Sequence, residues 1–187
     1  MKKNNEHVTI NEGSKFLTAS FDLLESVTTA LVLVTVFLTV VCMKFDVIGS
    51  SMLPTLRNND KLLVYHLMYE PQRGDIVTIN NPGQLDRNIV KRIIAKGNDS
   101  IRVDFEKGNV FVNDQLLTEP YIYMPTTQKA NWNFPEKVPE GYYFVMGDNR
   151  GNSKDSRSKD VGLIKKDDIM GKAIAIYSPF DRIGIPN

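Results

Sequence analysis

The sequence predicts a mainly β protein, with a single amino-terminal transmembrane helix followed by an antiparallel β-rich domain. Three observations carry that expectation. An uncharged apolar run of near-membrane length occurs once, close to the start. Beyond it, short segments alternate apolar and polar residues with a period of two. Turn-forming clusters of Gly, Asn, Asp and Pro separate those segments.

The apolar run covers Val27 to Met43 without a charge. With Leu23, Leu24 and Ser26 before it, it approaches the roughly 17–25 residues that a spanning helix needs. Its threonines can return hydrogen bonds to the preceding helical turn, so they do not disqualify it. A cleaved signal peptide and a buried core helix are the alternatives. No small-x-small pattern precedes Lys44, which favours an uncleaved anchor. The expected organisation is a leader over 1–22, an anchor over 23–43 and a folded domain over 44–187. Lys2, Lys3 and Lys15 lie before the run, and Lys44, Arg57 and Lys61 follow it, so charge asymmetry does not orient it.

In the domain, Asp75–Asn80, Ser100–Asp104 and Asn109–Asn113 alternate as half-buried strands do. Tyr142–Met146 and Ala173–Tyr177 are more continuously apolar, as central strands are. Turn signals fall at Arg73-Gly74-Asp75, Asn81-Pro82-Gly83, Gly97-Asn98-Asp99, Lys107-Gly108-Asn109 and Asn113-Asp114. Pro125 to Gly141 reads as a long surface loop, and one short helix is expected near Lys165–Ile169.

Net charge is +1, which points to no nucleic-acid or polyanionic partner. The single cysteine, Cys42, falls in the apolar run, so disulfides and cysteine chemistry are excluded. No cluster of His, Asp and Glu has metal-ligand spacing, and no metal or cofactor is expected.

Ser51 lies so soon after the apolar run that an extended chain keeps it within roughly 30 Å of the bilayer exit. As a nucleophile it would need a base, and both histidines are poorly placed. His7 is in the leader, on the other side of the anchor, and His66 reads as a surface or half-buried strand residue. Lys91 is the remaining candidate. In Ile89-Val90-Lys91-Arg92-Ile93, period-two alternation puts Ile89, Lys91 and Ile93 on one face. A lysine desolvated there would have a lowered pKa and could act as a base near neutrality. The alternative is an amphipathic stem on an edge strand with its ammonium in water. Arg92, on the opposite face, reads as a solvated or paired charge.

Four motifs appear in fixed order after the anchor: Gly49-x-Ser51-Met52-x-Pro54-Thr55-Leu56, Arg73-Gly74-Asp75-Ile76-Val77, Val90-Lys91-Arg92, and Gly147-Asp148-Asn149-Arg150 with Ser153-x-Asp155-Ser156-Arg157. Together they resemble the type I signal peptidases (leader peptidases), in the compact single-anchor form of Gram-positive bacteria. The resemblance covers most of the chain. It implies a signal-peptidase-like catalytic domain and a membrane-bound serine endopeptidase acting on N-terminal signal peptides of exported preproteins, without a cofactor.

The resemblance further implies that Ser51 is the nucleophile and Lys91 the general base of a Ser-Lys dyad, with Ser153 orienting the lysine. Asp155 and Arg157 match a structural ion pair near the site; read alone, they would be an ordinary surface pair. Gly147 and Asp148 would support the turn beneath the dyad. Where some relatives carry a hydroxyl residue that serves the oxyanion, this chain has Gly49, leaving backbone N–H groups, chiefly that of Ser51. Val47, Ile48, Met52, Leu56 and Val90 would form shallow pockets admitting small residues at substrate positions −1 and −3; singly, each also reads as core packing. The amino terminus would be cytoplasmic and the domain extracytoplasmic. Some relatives assemble pili instead of processing general precursors, and Ser-Lys self-cleaving regulators share the core fold but not the anchor. Both remain competing readings.

Overall fold

The computed structural model describes residues 12–186. The chain divides into two compact units, one ending at Val40 and the other running from Val41. The first is a single helix, α1 (Glu12–Val41). Its stretch Lys15–Val41 is long and apolar enough to cross a membrane, and its side chains are almost wholly exposed. Thr28 and Thr35 donate to the carbonyls of Leu24 and Leu31, at 2.9 and 2.8 Å. Their hydroxyls are thus satisfied within the helix, as apolar surroundings require.

The helix stops two residues earlier than the apolar run does. Cys42 and Met43, expected at the end of the anchor, instead open a strand. The reason is backbone pairing. Cys42 lies opposite Tyr65 and Met43 opposite Val64, so their polar backbone groups are satisfied by a ladder. Met43 and Phe45 also pack on the domain core.

Among the described residues, ten strands build the second unit: β1 (Cys42–Asp46), β2 (Lys61–Tyr65), β3 (Ile76–Ile79), β4 (Ile89–Lys96), β5 (Ile101–Asp104), β6 (Asn109–Val112), β7 (Gln115–Leu116), β8 (Tyr142–Met146), β9 (Ile164–Lys165) and β10 (Ile169–Ser178). Seven form one sheet in the order β1-β2-β10-β3-β4-β8-β9, and β5-β6-β7 form a second; every pairing is antiparallel. The turn signals act as expected. Gly74, Asn81, Gly83, Asn98, Gly108, Asn113 and Asp114 all have positive φ, the region Gly, Asn and Asp tolerate best. Near Lys165–Ile169 the expected helix is only a 3-10 turn over Lys166–Asp168, held between β9 and β10.

Two features of the sheet matter for function. β1 is an edge strand, paired only with β2. β4 pairs with β3 along Ile89–Arg92, but β8 joins its other side only from Arg92 onward. Ile89, Val90 and Lys91 therefore keep one unpaired edge.

Packing fixes the segment that carries Ser51. Val47, Met52 and Leu56 are buried with Leu62, Val64, Ile76, Val90, Ala173 and Ile176 in one apolar cluster. Burying each such side chain contributes about 1.5–3 kcal/mol, so the short turn-rich stretch between β1 and β2 is held by its own apolar residues. The 125–141 segment has no regular structure, as expected, but is more than a surface loop. Val138 and Thr126 are fully buried. Phe134 packs against Phe144 with centroids 4.8 Å apart and the rings tilted by 60°, and backbone bonds join Val138 to Asn98 and Asp99. Its apolar residues are too sparse for a period, yet they cap the core between β8 and the small sheet.

Candidate active site

A cleft of about 570 Å³ opens between the segment Lys44–Met52 and the segment Arg87–Lys91. On its wall Lys91 Nζ lies 2.7 Å from Ser51 Oγ. Neither local sequence could bring them together, since forty positions separate them. The ladder between β3 and β4 sets Lys91, and the buried Met52 and Leu56 set Ser51.

Lys91 is 3% exposed. Its Nζ also donates to the Val90 carbonyl at 2.8 Å. Burial pushes its pKa down to about 8; Asp155 and Asp148 oppose the shift, while the nearby Arg87 and Arg157 cations assist it. Of the two readings of this lysine, the desolvated one describes its surroundings. Arg87 is exposed on the cleft wall and makes no ion pair among the described residues. His66 is half-buried just beyond β2 and does not line the cleft.

The loop from Gly147 to Arg157 runs beneath Ser51. Gly147 has no room for a side chain, since a Cβ there would sit 2.4 Å from the Ser51 carbonyl oxygen and 2.2 Å from Ser153 Oγ. Asp155 is wholly buried, paired to Arg157 at 2.9 Å, and accepts from the Gly147 N–H at 3.0 Å. Burial alone would raise the Asp155 carboxyl pKa, but the Arg157 guanidinium and the Gly147 N–H hold it below the usual carboxylate range. Asp155 and Arg157 are thus an interior pair, unlike the exposed pair their sequence context alone suggests. Ser153 Oγ is buried and makes no hydrogen bond of sound geometry among the described residues, Lys91 included. It stays close enough to Asp155 to help keep that carboxyl ionised.

Two further ion pairs carry little signal in the sequence. Arg92 is paired but buried: its Nε and Nη2 clasp both oxygens of Asp148, at 2.9 and 2.8 Å, and its guanidinium stacks on Tyr121. Thr55 Oγ1 donates to the same carboxylate at 2.5 Å, tying the loop to the Ser51 segment. Arg150, fully buried, pairs with Glu119 and donates to Thr126 Oγ1 at 2.6 Å and to the Gly147 carbonyl.

Of the apolar residues expected to line pockets, Val47, Ile48, Met52 and Val90 lie on the cleft. Ile48 is 82% exposed, and the other three show only a small face. Leu56 is not on the cleft wall; it is fully buried in the cluster beneath. Gly49 has φ +93 and donates its N–H to Asn58 Oδ1 at 2.8 Å. No cluster of three or more His, Cys, Asp or Glu able to hold a metal occurs among the described residues.

Comparison with known proteins follows the same outline. A family described as signal peptidase, peptidase S26, matches residues 20–178. Signal peptidase I P of Bacillus subtilis subsp. natto is 36% identical over 172 residues, which cover 87% of this chain and 91% of that protein. A probable signal peptidase I-2 of Synechocystis is 37% identical over 145 residues, 73% of this chain; the chain spans 63% of that longer relative. Signal peptidase I U of Bacillus subtilis is also 37% identical over 145 residues, with 75% of its length covered. A crystal structure of a signal peptidase I from Enterococcus faecalis shares 27% identity and aligns with a TM-score of 0.46, over 56% of this chain and 97% of that one. The extent of the family match and of the identity over aligned lengths leads to one conclusion: the chain belongs to the signal peptidase family, peptidase S26.

Proposed function

We propose that this chain is a membrane-anchored serine endopeptidase that cleaves N-terminal signal peptides from exported preproteins, with Ser51 as nucleophile and Lys91 as general base. The observation that carries the reading is a buried amine 2.7 Å from a hydroxyl, on the wall of a cleft flanked by unpaired strand edges. An extended peptide adds to such edges through its backbone. The neutral amine of Lys91 donates one N–H to the Val90 carbonyl, which turns its lone pair toward the Ser51 hydroxyl. Ser51 Oγ attacks the scissile carbonyl carbon while its proton moves to Lys91. The negative oxygen is received by the Ser51 N–H. As the tetrahedral species collapses, the peptide C–N bond breaks and Lys91 returns the proton to the leaving amine. Lys91 then takes a proton from water as the water oxygen bonds to the acyl carbon; the bond from that carbon to Ser51 Oγ breaks, the acid leaves, and Lys91 returns the proton to Ser51 Oγ.

The helix anchors the chain in a membrane, and the reading puts its leader (1–22) in the cytoplasm and the 44–187 domain outside. Val47, Met52 and Val90, each with a small exposed face, favour small side chains beside the scissile bond. The test is cleavage of a purified secretory precursor by the full chain in lipid vesicles. Ala-x-Ala before the cleavage point should be processed, and leucine at −1 or −3 should lower kcat/KM by on the order of 10²-fold. Equal cleavage of all three would overturn the pocket assignment. Cleavage of pilin-type precursors alone would favour the assembly role.

The base has a pH signature. Only the unprotonated amine can accept the Ser51 proton, so kcat/KM should climb about tenfold per pH unit up to about 8 and level off above it. Arg87 is one of the cations that lower that pKa, so Arg87→Gln should move the rising limb to higher pH. A limb that stays in place in the variant would show that Arg87 does not act on Lys91.

A further inference from the structure

One residue grips the backbone on both sides of Ser51. Asn149 Nδ2 donates to the Ser50 carbonyl at 3.1 Å, where the Leu53 N–H of the local turn also donates at 3.2 Å, and the Asn149 N–H donates to the Ser51 carbonyl at 3.0 Å. Asn149 is buried at 6% exposure, in the loop beneath the cleft, where Gly147 makes the close approach possible. A trans peptide is planar, with its C=O and N–H pointing opposite ways. The Ser50 C=O and the Ser51 N–H belong to one such plane, so holding the first aims the second.

The aimed group has no competing employment. The Ser51 N–H donates to nothing among the described residues. The hydroxyl of Ser50 is engaged, accepting from Asn152 Nδ2 at 2.9 Å. Gly49 has no side chain that could donate in its place. A carbonyl that accepts a hydrogen bond also polarises its own amide, which makes the N–H across the plane a stronger donor.

We propose that Asn149 is a positioning residue for the oxyanion, its side-chain amide setting the direction and donor strength of the Ser51 N–H. This rests on the reading of Ser51 as nucleophile. Asn149 touches neither substrate nor the reacting atoms; it acts through the Ser50–Ser51 peptide.

Asn149→Ala removes Nδ2 but keeps the Asn149 N–H on the Ser51 carbonyl and the Leu53 N–H on the Ser50 carbonyl, so it isolates the side-chain amide. In the full chain in detergent or lipid, kcat should fall roughly 10–100-fold, less than outright loss of an oxyanion donor. KM should stay within about twofold, and the pH limb set by Lys91 should not move. A peptide aldehyde, which forms a tetrahedral adduct with the nucleophile, should lose affinity by the same factor as kcat/KM. The unreactive cleaved peptide should bind as before. Asn149→Asp, nearly isosteric, turns an acceptor toward the Ser50 carbonyl and should be slower than Asn149→Ala above the range where its carboxyl is protonated. It also supplies the measurement if the alanine variant fails to fold. Unchanged kcat, or a loss confined to KM, or aldehyde affinity equal to wild type, overturns the proposal. Ser51→Ala measured alongside separates the two ideas: if it cleaves normally, the nucleophile assignment fails whatever Asn149 does.

Discussion

Ser51→Ala and Lys91→Met should each abolish precursor cleavage, with kcat reduced by on the order of 10⁴–10⁶, the scale seen when one member of a nucleophile–base unit is removed. The double variant should be no slower than either single one, because both steps need the pair. Methionine suits position 91 because it fills the apolar part of the site without leaving a cavity. The same change should stabilise the fold near neutral pH. Lys91 has a folded pKa of about 8, against an ordinary value of about 10.4, so below pH 8 the native state must hold a buried ammonium. The unfolded state binds more protons between these two values, so wild-type stability rises with pH through that window. The advantage of Lys91→Met should therefore be full below pH 8 and shrink between pH 8 and about 10.4. Urea melts at pH 6.5 and 9.5 would measure it. A methionine variant that is inactive but less stable at both values would mean that the buried amine costs the fold nothing.

Asp148→Ala should be the most damaging single change to stability, costing about 3–5 kcal/mol. It strands Arg92 in the interior, where both side chains are nearly sealed, at 6% and 0% exposure. It also releases Thr55, and with it the tie between the loop and the segment carrying Ser51. Adding Arg92→Met should recover much of the loss, because a buried pair costs more when broken than when replaced whole by apolar groups. Chemical denaturation of the two variants separates these cases. If the double variant is no better than Asp148→Ala, the stranded charge is not the cause.

The sequence made some of this architecture readable and hid the rest, for physical reasons. Tyr142–Met146 and Asn109–Val112 announce themselves because five apolar residues, or a clean alternation between turn signals, have few other uses. The antiparallel class followed from those patterns. β1 did not, because its Cys42 and Met43 extend an apolar run that a helix could equally claim. β7 and β9, two residues each, are too short to show a period. At the site, period two placed Lys91 on a face with Ile89 and Ile93, but its nearness to Ser51 is a property of the whole sheet and was approached only through the family motifs. The partners of Arg92 and Arg150 were invisible: Asp148 and Glu119 lie far along the chain, and charged residues in turn-rich stretches ordinarily meet solvent. Leu56 was expected in a pocket because it sits beside pocket residues in a motif; packing claimed it for the interior.

The half-open flank of β4 has a further consequence. Main-chain pairing is blind to side chains, so any unstructured strand that reaches it gains the same ladder bonds. Under the proposed function, a cleaved fragment paired along this flank would keep those bonds. Turnover would then be throttled by its own product, and the fragment's greasy middle, drawn back into lipid, would be what clears the groove for the next chain.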